Sequence, residues 1–233
     1  SYMSIIEGLL NFWHRRNSNA YLNYLRSKGC KIGEGSRVRF QRTAMIDITR
    51  PALITIGKNV DMNRNFQIYT HDYACTVFIH KYNEFVNSSG AVTIGDNVYF
   101  GADVIVLKGV TIGSNCIIGA GSVVTKDIPS DSVAVGNPCV VVASLEKYFQ
   151  KRIEKGLVEA VEYVKAIQKR FGRNPLLSEM GEEFIYFMGG QDIAERQLGD
   201  SYSIWQKLHK PKFSSFEEFL KYCNNSGEYN GKK

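Results

Sequence analysis

The chain has 233 residues, 44% of them hydrophobic and 22% charged, with a formal net charge of +6. That balance excludes a mainly disordered chain and leaves enough apolar material for one large domain, or for one domain with an appendage. It contains neither the ~20 uncharged apolar residues of a membrane-spanning helix nor a Lys/Arg block of the kind that marks nucleic-acid binding, so neither membrane insertion nor a nucleic-acid partner is expected.

The N-terminus lacks the ordered charged start, apolar run and small-residue cleavage site of a leader, and none is expected. Residues 4–27 show apolar residues at helical spacing, among them Ile5, Leu9, Trp13, Tyr21, Leu22 and Leu25, with Gly29 as the stop. This predicts a short N-terminal helical segment over 1–28. From Cys30 onward the helical period disappears.

The next region reads VTIGDN-VYFGAD-VIVLKG-VTIGSN-CIIGAG-SVVTKD over residues 92–127. In blocks of six, the third position is Ile94, Phe100, Val106, Ile112, Ile118 and Val124. The first is Val92, Val98, Val104, Val110, Cys116 and Ser122. A period of six is neither helical nor a simple strand alternation. It fits a short strand and a sharp corner, repeated, with two inward residues per block and each block stacked on its equivalent one coil away. Asp96-Asn97 and Ser114-Asn115 are corner residues on this reading. The phase extends back through Ile68, Met62 and Ile56, with Phe66, Val60 and Ile54 as partners, and further back through Ala44, Val38 and Ile32. Arg50 violates it and Pro51 follows. Ile68 and Ile94 are 26 residues apart, not a multiple of six, so an extruded loop is placed at about 72–91. A loop borne by a rigid solenoid is a natural seat for function.

Helical periodicity returns at about Ser144 and runs to about Phe171, where Asn174-Pro175 breaks it. Further helices are predicted at about 177–188 and 215–223, the last opened by Ser215-x-x-Glu218, and the terminal GEYNGKK is expected to fray. Fourteen of the 28 aromatic residues lie in 145–233, whereas 92–144 holds only Tyr99 and Phe100. Two architectures therefore share the chain: a solenoid over 29–143 and a helical C-terminal appendage over 144–233, whose aromatics are read as core. Five widely spaced cysteines without a CxxC pair support neither a disulfide framework nor a zinc site. Buried free thiols in a reducing cytoplasm are expected.

The hexads, together with IGDNVYFGADVIVLKGVTIG, IGAGSVVTKDIP and VAVGNPC, resemble the hexapeptide-repeat acyltransferases, near the maltose/galactoside O-acetyltransferase branch and the sugar acetyltransferases of capsule and lipopolysaccharide assembly. The resemblance covers about residues 28–145. It implies an all-β core folded as a left-handed parallel β-helix, a homotrimer with each active site between two subunits, and acetyl-CoA as donor with no metal. The acceptor it implies is a hydroxyl or amine of a saccharide precursor, acetylated directly without a covalent enzyme intermediate. Its catalytic base matches His71, in QIYTHDY, and Asp72 resembles a partner that orients the base or grips the acceptor. The N–H of Ala102, beside Gly101, matches the oxyanion donor. Gly119, Ala120, Thr125, Lys126, Asn137 and Pro138 match CoA-binding positions, although Val140 and Ala143 stand where relatives often carry Arg. The chemistry agrees, since a hydroxyl needs a base of near-neutral pKa and a thioester oxyanion needs a preorganised donor. A zinc-dependent relative of this fold needs three histidines, and only His71 and His80 lie in or near the solenoid. Other readings are an amino-acid or xenobiotic acceptor, or a catalytically silent scaffold. The sugar-site pattern of the galactoside enzymes is not met by TAMIDITRP, residues 43–51.

Overall fold

All twelve inward positions of the six hexads are buried, from Val92 and Ile94 to Ser122 and Val124. The computed structural model describes residues 13–226. The start of the expected N-terminal helix and the expected fraying of 227–233 lie outside the described residues. The chain divides after Tyr148 into two compact units.

The first unit opens with α1 (Ser18–Lys28). The Asn17 side chain caps it by accepting from the Ala20 N–H, and Gly29 ends it with φ 114°, a conformation that glycine adopts without strain. Tyr21, Leu22 and Leu25 are buried and belong to the apolar core of the solenoid. The strands that follow are β1 (Lys31–Ile32), β2 (Arg37–Val38), β3 (Met45–Ile46), β4 (Ile54–Ile56), β5 (Asp61–Met62) and β6 (Gln67–Ile68). Then come β7 (His71–Asp72), α2 (Cys75–Tyr82) and β8 (Ser88–Ser89). The run closes with β9 (Val92–Ile94), β10 (Val98–Phe100), β11 (Ile105–Val106), β12 (Thr111–Ile112), β13 (Cys116–Ile118), β14 (Val123–Val124), β15 (Ser132–Val135) and β16 (Val140–Ser144).

These strands form three faces of a prism. The first is β1-β4-β9-β12, the second β2-β5-β10-β13-β15-β16 and the third β3-β6-β11-β14, with every pairing parallel except the final β15–β16 hairpin. Val98 lies opposite Cys116 and Ile105 opposite Val123, so one full coil is three hexads of six. This is the stacked solenoid that the repeats predict, and it agrees with the left-handed parallel β-helix that the family resemblance implies. Its interior is aliphatic around one tilted aromatic pair, Phe66 and Phe100, with ring centroids 4.6 Å apart. Each such side chain removed from water contributes roughly 1.5–3 kcal/mol.

The corners turn through left-handed backbone. Asn59, Asn97, Asn115 and Asp131 have φ of 53–58° and stack along the edge between the first and second faces. Asn97 Nδ2 donates to Asn115 Oδ1 at 2.9 Å, and Asn115 Nδ2 to Asp131 Oδ1 at 3.0 Å. Asn and Asp are the non-glycine residues that tolerate this conformation, and here their side chains also link one coil to the next.

Two places depart from the expected register. Reading by six sets Ala44 in line with Val38. In the structure Ile46 lies opposite Ile68, so Ile46 takes that inward position and Ala44 stands one step earlier, level with Phe66. The first coil carries extra residues on both sides of β3, the second group ending in a 3-10 turn, Pro51–Leu53. The extruded segment is not a plain loop: β7 and β8 pair antiparallel at its base, His71 with Ser89 and Asp72 with Ser88, and α2 forms its tip.

The long helix α3 (Leu145–Phe171) begins at the end of the first unit and runs into the second, where it buries Ala160, Val161, Val164 and Ile167. The expected helix at 177–188 is instead two 3-10 turns, Leu177–Glu179 and Glu183–Tyr186, and two helices that the periodicity did not indicate follow, α4 (Gln191–Leu198) and α5 (Tyr202–Leu208). The last, α6 (Phe216–Asn225), is capped by Ser215, which accepts from the Glu218 N–H, while the Glu218 carboxylate takes Ser214 rather than the Ser215 backbone. Phe187, Phe213 and Phe219 are buried together with Met180 and Cys223, so part of the aromatic excess is core, whereas Phe149, Tyr163, Phe171 and Tyr222 are exposed. No described helix is long and apolar enough to cross a membrane.

Candidate active site

The residues inserted after β3 place a carboxylate under His71. Asp47 Oδ2 stands 2.7 Å from His71 Nδ1, and the Asp47 side chain is only 7% exposed. Four further hydrogen bonds hold this carboxylate. Thr49 donates its N–H at 3.0 Å and its hydroxyl at 2.6 Å to Oδ1, and Thr70 donates its N–H at 3.2 Å and its hydroxyl at 2.5 Å to Oδ2. Burial pushes the Asp47 carboxyl up, but the bonds from Thr49, Thr70 and His71 outweigh it and hold the group well below the usual carboxylate range. An ionised carboxylate only accepts, so Nδ1 of His71 is the donor, and in the neutral ring Nε2 then carries the free lone pair. A histidine held in one tautomer and orientation can take a proton at Nε2. Below this group, burial and then the charge of Asp47 push the Cys30 thiol up to about 11, so it stays protonated.

His71 lines a cavity of about 360 Å³ at the base of the extruded segment, with Arg50, Tyr73, Phe85 and Asn87 in the wall. Asp72 also lines it, yet its carboxylate is engaged elsewhere. Oδ2 forms an ion pair with Lys108 of the next coil, and Oδ1 accepts from the Ala74 N–H at the start of α2. The residue that orients His71 in the structure is Asp47, not Asp72. Sequence reading passed over it because Asp47 falls in the stretch where the six-residue phase breaks down. The only signal was the break itself at Arg50-Pro51. Cys75 is buried at the start of α2. His80 is exposed on α2. The remaining histidines stack, His14 on Tyr24 and His209 on Trp205, with ring centroids 4.2 Å and 4.1 Å apart.

The residues matched to CoA binding fall on two different edges of the prism. Thr125 and Lys126 are exposed on the edge between the third and first faces, the edge that also bears His71 and Lys108. Ala102 and Ala120 lie on the edge between the second and third faces, and Asn137-Pro138 closes the turn after β15. At these corners Gly101 and Gly119 donate to the ladder, to Ile118 and Ala134, as do Asp103 and Gly121, to Arg64 and Ala102. Among the described residues the N–H groups of Ala102 and Ala120 have no such acceptor. Gly101 is needed for close stacking, since a Cβ there would lie 2.5 Å from the Ala120 nitrogen. Within one chain, His71 and Ala102 therefore stand at opposite ends of the third face.

The family model described as "Bacterial transferase hexapeptide (six repeats)" matches residues 91–126, the same stretch as the six hexads. The protein CapG of Staphylococcus aureus is 37% identical over 134 residues, 58% of this chain and 74% of CapG. The chain belongs to the hexapeptide-repeat transferase family. Putative acetyltransferase YvoF of Bacillus subtilis (strain 168) is 34% identical over 133 residues, 57% of this transferase and 72% of YvoF. The crystal structure of a maltose O-acetyltransferase from Clostridium difficile 630 is 32% identical in sequence, with a TM-score of 0.42, covering 61% of this transferase and 84% of that chain. The transferase falls in the acetyltransferase branch of the family.

Proposed function

We propose that the chain transfers an acetyl group from acetyl-CoA to a hydroxyl, or an amine, of a saccharide precursor, with His71 as general base and no covalent enzyme intermediate. The observation that carries this reading is the Asp47–His71 bond at the wall of the cavity, on a hexapeptide prism. Asp47 holds Nδ1 as donor, so Nε2 accepts the acceptor's proton as its oxygen attacks the thioester carbon. The resulting oxyanion is stabilised by the N–H of Ala102, which is not engaged in the ladder. Collapse breaks the carbon–sulfur bond, and the proton on His71 passes to the departing CoA sulfur. Between these two steps the charge of Asp47 stabilises the imidazolium.

His71 and Ala102 lie on separate edges, so this chemistry needs the His71 edge of one copy against the Ala102 edge of another. A trimer of this chain supplies that arrangement, with Ala120, Thr125 and Lys126 along the CoA arm and Lys126 as a point charge for a CoA phosphate. The shared family membership and the likeness to putative acetyltransferase YvoF support the acetyl donor.

The test is release of free thiol from acetyl-CoA over a panel of sugars, nucleotide sugars and amino acids. His71→Ala is expected to lower the rate at least ~100-fold. Turnover of that variant near the wild-type rate would remove His71 as base, and no thiol release with any acceptor would remove the transfer reading.

A further inference from the structure

Arg50 is the residue that breaks the six-residue phase, and the structure turns this break into a cation beside His71. Pro51 follows it and opens the 3-10 turn Pro51–Leu53, whose fixed φ limits the backbone at the point where Arg50 leaves the coil. Arg50 lines the same cavity as His71. Its guanidinium has no hydrogen bond, ion pair or ring contact among the described residues. Asp47 keeps its negative charge, but its oxygens are occupied by Thr49, Thr70 and His71 and its side chain is only 7% exposed, while Asp72 is paired with Lys108. Among the described residues Arg50 is thus the cation of the cavity wall without a partner, a planar fork of five donors suited to a carboxylate or phosphate. The same cavity is lined by two exposed aromatic rings, Tyr73 and Phe85, edge to face with centroids 6.5 Å apart. Such rings offer an apolar surface to the C–H face of a sugar ring, and Asn87 adds a polar group in the same wall.

We propose that Arg50 is an anion subsite and that the acceptor is an acidic saccharide, one that bears a carboxylate or phosphate near the hydroxyl or amine presented to His71. This inference rests on the transfer reading above and names its substrate class. An uncompensated guanidinium discriminates by charge: a neutral sugar leaves it to water, whereas an anionic sugar forms one or two charge-assisted hydrogen bonds.

The experiment measures kcat/KM for three acceptors with full-length protein and acetyl-CoA: a hexuronate, a hexose phosphate and the parent neutral hexose. One anionic acceptor is expected to exceed the neutral one by at least about tenfold, and which of them does so tells a carboxylate from a phosphate. Arg50→Gln is expected to reduce that preference about tenfold or more through KM of the anionic acceptor, and Arg50→Lys to restore part of it, because a point charge replaces the fork. Thermal melting of each variant shows that it is folded. A neutral sugar preferred by the wild type overturns the subsite and leaves the transfer reading standing. So does an Arg50→Gln effect that falls on KM for acetyl-CoA instead. Absence of thiol release with all three acceptors, and with the wider panel, overturns both.

Discussion

Asp47 and His71 are 24 residues apart in sequence and meet at 2.7 Å because consecutive coils of the prism stack. On the proposed reading the pair separates two roles, a proton acceptor at Nε2 and a buried anion that fixes Nδ1.

Asp47→Asn is expected to lower kcat by about 10²-fold, the order associated with a residue that acts through a general base. Combining it with His71→Ala should cost no more than about twofold beyond His71→Ala alone, because Asp47 acts only through the imidazole. Steady-state kinetics of the two single variants and the double variant check this. Independent, multiplying losses would show that Asp47 has another role.

Stability should depend on this carboxylate at acid pH. Its folded-state pKa lies below the unfolded value of about 3.9, so between the two the unfolded chain binds a proton that the folded chain does not. The contribution of Asp47 is complete above that unfolded value and is lost as pH falls toward the folded one. Denaturant unfolding between about pH 5 and pH 2 should show stability declining with acidification, and Asp47→Asn should flatten that slope. An equally steep slope in the variant would place the acid sensitivity elsewhere.

Lys108 and Asp72 tie the extruded segment to the coil above it, and both are partly exposed. Lys108→Ala is expected to lower global stability by less than about 1 kcal/mol. Its visible effect should be local: faster amide exchange or proteolysis within 72–91, with the prism unchanged. Asp72→Ala should reproduce that loosening. If Asp72→Ala reduced kcat as far as Asp47→Asn without loosening the segment, Asp72 would have a direct part in the chemistry.

At the corner ladder, Asn115→Ala removes two inter-coil hydrogen bonds and puts a side chain without local partners at φ 58°. A loss of about 2–3 kcal/mol is expected, by summing the left-handed backbone cost with the lost bonds. Asn115→Gly should lose less, since glycine adopts this backbone without strain. Thermal unfolding of the pair ranks the two contributions, and equal losses would assign the whole effect to the hydrogen bonds.

The interior of the coils was legible in the residues themselves. A hexad is a local rule, one short strand and one corner, and every inward residue from Val92 to Val124 obeys it. Positions 71 and 102 could be matched because they border intact hexads. The first coil was not legible in the same way. Ala44 fits the six-residue count, yet the pairing of Ile46 with Ile68 overrides it, since register there is settled by the neighbouring coil and not by the local sequence. In the second unit, short helices such as α4 are weak signals by length alone and form where tertiary packing holds them.

The amino-acid sequence by itself thus determined the prism, its aliphatic filling and the point at which the extruded segment leaves it, because each follows from residue type at a fixed local spacing, whereas the candidacy of His71 came with the family resemblance. Only the tertiary structure decided which acid stands behind His71, which acid is tied to Lys108, and that Arg50 faces the same cavity. Those choices depend on extra residues bulging from one coil and meeting the next, a contact between positions more than twenty residues apart that no local period encodes.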